Sequence, residues 1–497
     1  MKTKLIQIYE RDDVAVAVEP IIKGETLSLG AQSVTALENI PQGHKIALRD
    51  LTEGQSIMKY GYAIGHTKCF IKKGAWVHSH NLATNLNGTL SYTYQPVTPL
   101  KADTKNCVKT FQGYVRKDGN VGTRNEIWII PTVSCVNTTV RMLADNANAL
   151  YGEKCDGIYA YPHNAGCSQL GDDFETTQRI LASIVHHPNA GGVLLVSLGC
   201  ENNDWEHFLP ALGKIDRNRV KIMITQDVDG DEVEHGMKLI EELVEEISND
   251  KRQEVPVSKL KIAFKCGGSD AFSGITANPL CGKITNRMTA CGGSAILTEV
   301  PEMFGAETIL MNRADSEETF HKILKLINSF KQYYLDYGQP IYENPSPGNK
   351  RGGITTLEEK SLGCIQKGGQ ATVTNTLHYG ERCTTPGLNL MTGPGNDSVS
   401  ITDLLSCGAQ LLFFTTGRGN PLGAPIPTIK IASNDMLYHR KQRWIDYNAG
   451  TILDGTSFDE AADQLWDLMI QVASGEKTKN EVYGYREIMI FKNGVLL

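Results

Sequence analysis

Four cysteines in this chain follow apolar runs that read as strands. Trp128-Ile129-Ile130 leads to Cys135, Ile158-Tyr159-Ala160-Tyr161 to Cys167, Val193-Leu194-Leu195-Val196 to Cys200, and Ile262-Ala263-Phe264 to Cys266. Their neighbours are small or polar, as in His163-Asn164-Ala165-Gly166-Cys167, Gly199-Cys200-Glu201-Asn202 and Cys266-Gly267-Gly268-Ser269-Asp270. Open α/β sheets bind ligands just beyond the carboxyl ends of their strands. Thiolates placed there suit a soft or borderline metal, iron included. A single thiol is as readily a small buried hydrophobe, but four at similar strand ends favour a site. Cys69, Cys107, Cys155, Cys281, Cys291, Cys364, Cys383 and Cys407 have no comparable setting and read as structural.

Histidines and cations add to this set. His163 lies four residues before Cys167, where it can be a ligand, a general base or a hydrogen-bonding residue. His78 and His80 follow the Ala75–Val77 run, and strand alternation puts them on one face, suited to a metal or a carboxylate or left as a solvated strand end. The loop from Asn344 to Gly353 combines prolines and glycines with Lys350 and Arg351, and Arg can hold a carboxylate bidentately. Arg418, in Thr416-Gly417-Arg418-Gly419, is a further cation after a strand. Each loop alone is ordinary turn chemistry; together they describe a cation-bearing cleft for a small acid. Neither GxxxxGK[ST] nor a GxGxxG opening a helix after the first strand is present, which counts against nucleotide binding.

Three kinds of segment must position these residues. Residues 1–98 carry short strands with recurrent glycines, including Val14–Val18 and Lys45–Leu48, and read as a small all-β module. The opening Met1–Ile8 alternates as a short strand, and Gln95–Asp103 reads as a linker. Over 108–250, apolar strands alternate with helical segments (Thr138–Leu150, Glu175–His187, Glu234–Ser248), the pattern of βαβ units and a mostly parallel sheet. The charged stretch from Asn249 to Glu254, with Pro256, marks a boundary. Over 257–497 the alternation resumes, with strands expected at Leu260–Phe264, Ser294–Thr298, Ala371–Thr374, Leu411–Thr415 and Ile426–Ile431. Helices are expected at Glu317–Tyr334 and Phe458–Ser474, and Tyr342–Gly369 reads as a long irregular functional loop.

A chain of 497 residues is too long for one core. Its formal net charge of -7 gives no reason to expect nucleic acid, and no long basic tract points to a membrane surface. No signal-peptide core and no apolar run approaching the ~18 residues of a membrane span is present. A cytoplasmic location follows as the expectation. In that compartment the 12 cysteines read as free thiols or ligands rather than disulfides.

The assembled motifs resemble the altronate/galactarate dehydratase family, essentially end to end. The carrying segments include Ile40–Lys45, Lys59-Tyr60-Gly61, His78–Asn81, Gly119–Glu126, Gly166–Asp173, Leu198–Asn203, Cys266–Asp270, Gly274–Pro279, Glu299–Met303, Asn344–Gly353 and Thr416–Gly419. The resemblance implies an N-terminal SAF-type (β-clip) module followed by two α/β regions. It also implies loss of water from D-altronate to give 2-dehydro-3-deoxy-D-gluconate in galacturonate breakdown, and a requirement for Fe(2+). His78 and His80 favour altronate over galactarate, while Asn420 stands where the family more often has Thr.

Aldonate dehydration takes the proton from C2 and the hydroxyl from C3. The base must reach C2, and His163 and His80 are the candidates. The substrate-binding set is His78, Lys350, Arg351, Arg418, Asn202 and Asp270. The iron ligands expected are Cys135, Cys167, Cys200 and Cys266, with iron as a Lewis acid on the carboxylate and a hydroxyl. The rival readings are a dehydratase for galactarate or a sulfonated hydroxy acid, a non-catalytic sugar-acid-binding protein and a nucleotide-dependent oxidoreductase. Homo-oligomerisation is compatible with all of them.

Overall fold

The computed structural model describes residues 4–30, 32–99 and 107–497. The first residues of the Met1–Ile8 alternation and Leu100–Asp103 of the expected linker lie outside them. Among the described residues, no helix is long and apolar enough to cross a membrane.

The N-terminal module is all β, as its turn spacing implied. An antiparallel sheet runs Leu5–Ile6, Val14–Ala17, Lys45–Ala47, Trp76–Val77, and a second runs Ser56–Lys59, Tyr62–Thr67, Leu82–Ala83. Tight turns join them. At Gly74 (φ 88°) a Cβ would sit 2.0 Å from the Thr35 carbonyl oxygen, so only glycine fits that crossing. Val14–Ala17 is buried throughout. Ala15 and Ala17 face the module's own core, while Val16 packs with Ala271 and Phe272 of the C-terminal region.

The middle region holds a parallel sheet in the order Ile158–Ala160, Glu126–Pro131, Ala190–Ser197, Val220–Ile224. Helices Asn137–Tyr151 and Glu232–Ile247 cover one face through Val140, Leu143, Ile240 and Leu243. The other face, with helices Gly171–Val185 and Trp205–Leu212, shares its core with the C-terminal region through Ile180, Ile184, Phe208, Ile401 and Leu404. The charged boundary is structured: Gln253–Pro256 pairs antiparallel with Thr110–Val115, so the entry and exit strands of the middle region zip together.

The C-terminal sheet has seven parallel strands: Val373–Leu377, Gly387–Met391, Ser294–Leu297, Lys261–Cys266, Leu411–Thr416, Thr428–Ala432, Tyr447–Asn448. The chain lays its early strands to one side of Lys261–Cys266 and its later ones to the other. The resulting switch point lies at that strand's carboxyl end, where such sheets bind ligands. Gly387–Met391 escaped the sequence reading because Asn389 interrupts its apolar run. That side chain is fully buried and donates to the Thr385 carbonyl at 3.0 Å.

Two expectations are corrected. Tyr342–Gly369 is not one irregular loop; it contains helices Pro347–Arg351 and Leu357–Cys364. All eight residues of the second are buried, so Glu358, Glu359 and Lys360 face protein on every side and no amphipathic period is visible. The cysteines are not all free, because Cys107 and Cys291 form a disulfide across 184 residues of sequence. The first precedes the zipped entry strand and the second caps helix Ala277–Ala290, a proximity that sequence spacing cannot show.

The second buried helix docks the N-terminal module. Lys45 Nζ reaches both Glu359 carboxylate oxygens (3.0 and 2.9 Å) and the Gly353 carbonyl (2.8 Å), and Lys59 Nζ reaches Glu359 at 2.7 Å. All three side chains are at most 1% exposed. Burial alone would raise Glu359, but the two lysines outweigh it and hold the carboxyl well below the usual range. Removing one partner of a buried charge set costs about 3–5 kcal/mol. Glu359→Gln is therefore expected to lower unfolding stability by about that amount in denaturant titration, whereas Glu19→Gln, on the exposed surface, changes little.

Candidate active site

The switch point of the C-terminal sheet carries a dense set of buried ionisable groups. Lys265, the residue before Cys266, bonds Glu299 and lies 2.9 Å from Asp397. Lys367 is 3.1 Å from Glu299, whose second oxygen also accepts the Cys266 N–H at 3.1 Å. Lys360 is 2.8 Å from Glu302, and the Cys364 thiol donates to Glu302 at 2.7 Å. Glu299 has φ 66° and ψ 50°, a left-handed conformation that costs a non-glycine residue about 1–3 kcal/mol and clusters at functional sites.

The electrostatics follow from the pairing. Burial would raise Glu302, but Lys360, Lys265 and Lys367 draw it down to about 2. Burial would lower Lys360 and Lys367, yet both are raised, Lys360 chiefly by Glu302 and Lys367 chiefly by the neighbouring thiols and Glu299. These lysines are cations at neutral pH. The Cys364 hydrogen bond, with help from Lys367, lowers Cys266 to about 6 against its burial. Cys364 is correspondingly raised. The site is a low-dielectric wall of lysines balanced by carboxylates.

Loops from several elements form the rim. Arg418 N–H donates to the Gly268 carbonyl at 2.9 Å, and Asn349 donates to the Ser269 carbonyl at 2.8 Å. This brings the Arg418 turn and helix Pro347–Arg351 against the Cys266–Asp270 loop. The N-terminal module supplies the opposite rim. His78 Nε2 lies 2.9 Å from the Lys350 carbonyl, and His44 Nε2 3.2 Å from the Arg351 carbonyl. Trp76 Nε1–H donates to His44 Nδ1 at 3.1 Å, which leaves His44 neutral with its proton on Nε2. His80 packs at a tilt against Trp76, with ring centroids 5.3 Å apart, and is solvent-exposed.

The sequence-derived residues thus fall into two groups. Cys266, Lys350, Arg351, Arg418, His78 and His80 gather at this end of the C-terminal sheet, with Asp270 buried behind them. Cys135, Cys167, Cys200, His163 and Asn202 lie on the carboxyl edge of the middle sheet. The expected four-thiol set is therefore divided, with Cys266 on a different sheet from the other three. Among the described residues, no three His, Cys, Asp or Glu side chains meet closely enough to hold one metal ion. The arrangement does not fit a single ferrous ion held by these four thiols.

Individual roles are also visible. Asp270 is buried and accepts from Ser273, Ser433 and Asn434 at 2.8–3.0 Å; it fixes the Gly417 turn rather than facing the crevice. His163 is buried, with Nε2 2.7 Å from the Pro131 carbonyl and Nδ1 accepting the Ala165 N–H at 3.2 Å, so neither ring nitrogen is free for a substrate. Lys350 meets His78 through its backbone carbonyl and is partly exposed, while Arg351 and Arg418 are exposed. Sequence reasoning placed Asp397 in a cleft turn as a carboxylate but gave no role to Lys265, Glu299, Glu302, Lys360, Cys364 or Lys367. The signal for them was charge inside apolar or glycine-rich segments, as in Phe264-Lys265-Cys266. A separate cavity of about 530 Å³, lined by Lys322, Tyr333, His378 and Phe491 among others, lies away from these groups at the Val373–Leu377 edge.

Comparison with known proteins bears on the same regions. Residues 3–85 match the altronate/galactarate dehydratase SAF domain, 113–248 the second domain of D-galactarate dehydratase/altronate hydrolase, and 257–496 the C-terminal domain of D-galactarate/altronate dehydratase. The altronate dehydratase of Bacillus subtilis (strain 168) is 48% identical over 495 residues, 99% of each chain. That of Escherichia coli (strain K12) is 46% identical over 498 residues, again 99% of each. The galactarate dehydratase (L-threo-forming) of Escherichia coli (strain K12) is 31% identical, covering 98% of this chain and 96% of its own.

The rim contact has a definite pH dependence. Burial lowers His44 from 6.5 to about 4, opposed by its bond to Arg351, with His78, Lys45 and Glu359 facing it. A histidine kept neutral in the folded state stabilises fully above its unfolded pKa. That contribution is lost as pH falls from about 6.5 toward 4. Unfolding stability is expected to fall over this window. His44→Gln, which does not titrate, is expected to give a shallower slope in denaturant melts across it.

Proposed function

The chain belongs to the altronate/galactarate dehydratase family, and from that premise we propose a hydro-lyase that removes water from D-altronate to give 2-dehydro-3-deoxy-D-gluconate. The observation that carries the choice of acid is end-to-end identity of 46–48% to two altronate dehydratases against 31% to a galactarate dehydratase. A cation-rimmed crevice suits an acid with one carboxylate. The cytoplasm is the setting this reading takes, with a small sugar acid rather than nucleic acid as partner and a homo-oligomer compatible with it.

The steps follow from the groups present. Arg418, Arg351 and Lys350 receive the substrate carboxylate, Arg as a bidentate fork. His80 takes the C2 proton, because it is exposed on the rim and, among the described residues, carries no protein hydrogen bond on its ring. Negative charge then develops over C1 and C2. The preorganised ammonium groups of Lys360 and Lys367 stabilise such charge without reorganisation. The C3 hydroxyl leaves with a proton as water, and the resulting enol gains a proton at C3 and gives up its C2 hydroxyl proton to become the 2-keto acid. The C2–H and C3–O bonds break, a new C–H bond forms at C3, and one water is released.

A keto-acid assay on a panel of sugar acids tests the reading. D-altronate is expected to yield 2-keto acid, with galactarate turned over at least about tenfold less efficiently, a difference of about 1.4 kcal/mol in transition-state binding. Equal efficiency on galactarate would overturn the assignment of substrate. Arg418→Ala removes a charge-assisted hydrogen bond of about 1.5–3 kcal/mol, so kcat/KM is expected to fall about 10- to 100-fold. His80→Ala is expected to reduce kcat far more than KM.

A further inference from the structure

We propose that the cavity beside the edge strand Val373–Leu377 is a second ligand site, separate from the Cys266 crevice, and that it takes an organic acid with a flat apolar body. The cavity measures about 530 Å³, within the roughly 300–1,000 Å³ typical of small-molecule sites. Its lining comes from that strand, from helix Glu317–Asp336 and from the C-terminal segment. It reaches the carboxyl ends of two strands. Leu377 closes the edge strand, Thr392 follows Met391 of its neighbour, and the Thr392 N–H donates to the Leu377 carbonyl at 2.9 Å. Open parallel sheets bind ligands at that end of their strands.

Two rows of the helix make the lining amphipathic. Leu326, Phe330 and Tyr333 recur at spacings of four and three, and Lys322, Lys325 and Ser329 at three and four, so each set shares one helix face. Phe491 completes the aromatic wall, its ring centroid 6.1 Å from that of Tyr333 and 5.9 Å from that of Tyr379. The segment that carries Phe491 is held on both sides. Met489 N–H donates to the Thr402 hydroxyl at 2.8 Å, and the Tyr337 hydroxyl donates to the Asn493 carbonyl at 3.0 Å. Rings fixed in this way offer preorganised apolar surface, which a flat ligand body can cover without first ordering it.

The polar lining selects the head group. Among the described residues, the side chains of Lys325, Ser329, Asn375, Thr376 and Thr392 carry no hydrogen bond to protein. A few convergent polar groups on an otherwise apolar cavity are what orients a small ligand. Lys325 supplies the charge. Lys322, one turn before it, is 2.8 Å from Glu318, and Glu381 accepts the His378 N–H at 2.8 Å. Lys325 has no carboxylate partner among the described residues, so an acid group entering the cavity meets an ammonium that nothing else neutralises, with the Asn375 amide and the hydroxyls as further donors. The segment from Thr392 to Asp397 runs from this cavity to the crevice. Thr392 lines the cavity, while the Gly395 carbonyl accepts from Lys265 at 3.3 Å and Asp397 lies 2.9 Å from it.

The test is made on the full chain with anilinonaphthalene sulfonate as the probe, a flat ring body bearing one acid group, whose fluorescence rises as it leaves water. Saturable binding is expected at about one probe per chain. Lys325→Glu is expected to weaken it about tenfold or more, the loss of one charge-assisted bond, while changing binding of the sulfonate-free parent compound less than about twofold. Ser329→Trp, which fills the cavity from the helix, is expected to abolish binding of both compounds. Both positions are exposed, so each variant is expected to melt with the wild type. Lys238→Glu, on an exposed face of the middle region, and Arg418→Ala, at the crevice, are expected to leave probe binding unchanged. No saturable binding to the wild type, unchanged binding in Lys325→Glu or in Ser329→Trp, or equal loss in Arg418→Ala would each overturn the proposal. None of these readouts depends on turnover, so failure on D-altronate and failure of this site are distinguishable.

Discussion

The contact of Lys45 and Lys59 with Glu359 is the constraint on which the rest of the molecule depends. It joins the first module to a helix 300 to 314 residues further along the chain. Buried ion pairs are weak sources of net stability, since desolvation offsets most of the Coulomb gain. Their strength is directional: two ammonium groups and the Gly353 carbonyl define one seating of the module. Apolar contacts such as Val16 on Ala271 and Phe272 would tolerate sliding. A slide of a single strand residue would carry His44 and His78 away from the Arg351 and Lys350 carbonyls.

That seating shapes the crevice. Helix Pro347–Arg351 is held from below by Asn349 on Ser269 and from above by His44 and His78 on its last carbonyls. The cationic side chains at its end therefore project from a segment fixed on both sides. The wall behind them carries Lys265, Lys360 and Lys367 against Glu299, Glu302 and Asp397. The formal charges of these six side chains balance one another. In the proposed reaction a carboxylate on the rim meets exposed cations, while the buried lysines face the charge that develops as the C2 proton leaves. Stabilisation confined to the later state is what lowers a barrier.

Much of this was legible in the sequence. The strands leading to Cys135, Cys167, Cys200 and Cys266 were visible because doubly covered parallel strands are continuous apolar runs. Helices Asn137–Tyr151, Glu232–Ile247 and Phe458–Ala473 have one buried face each and declare their period. Helix Leu357–Cys364 is buried all round with paired charges, so its period vanished and its charges read as solvated. The buried lysines were hidden for the same reason. A cation looks superficial in sequence unless its partner is known, and Lys265 finds Glu299 only through the neighbouring strand. The four thiols looked equivalent because strand ends look alike; which sheet each strand joins is a property of topology.

The division of those thiols between two sheets follows from how the chain is routed. Thr110–Val115 and Gln253–Pro256 pair antiparallel, so the middle region leaves and rejoins the molecule at one place. A region inserted through a single zipped neck is otherwise free to tilt. Here one face of it is buried against the C-terminal sheet through Ile184, Phe208 and Leu404, and Arg486 adds a buried tie to Glu126 at 2.9 Å. The C-terminal segment then crosses back to Ser168 and Asp173. Neck, face and strap fix the middle sheet in three places, and they set its carboxyl edge beside a cleft lined by His163, Asn164 and Ser398. Bracing of this kind fixes the separation of the two sheet edges, which is what any site drawing residues from both of them would require.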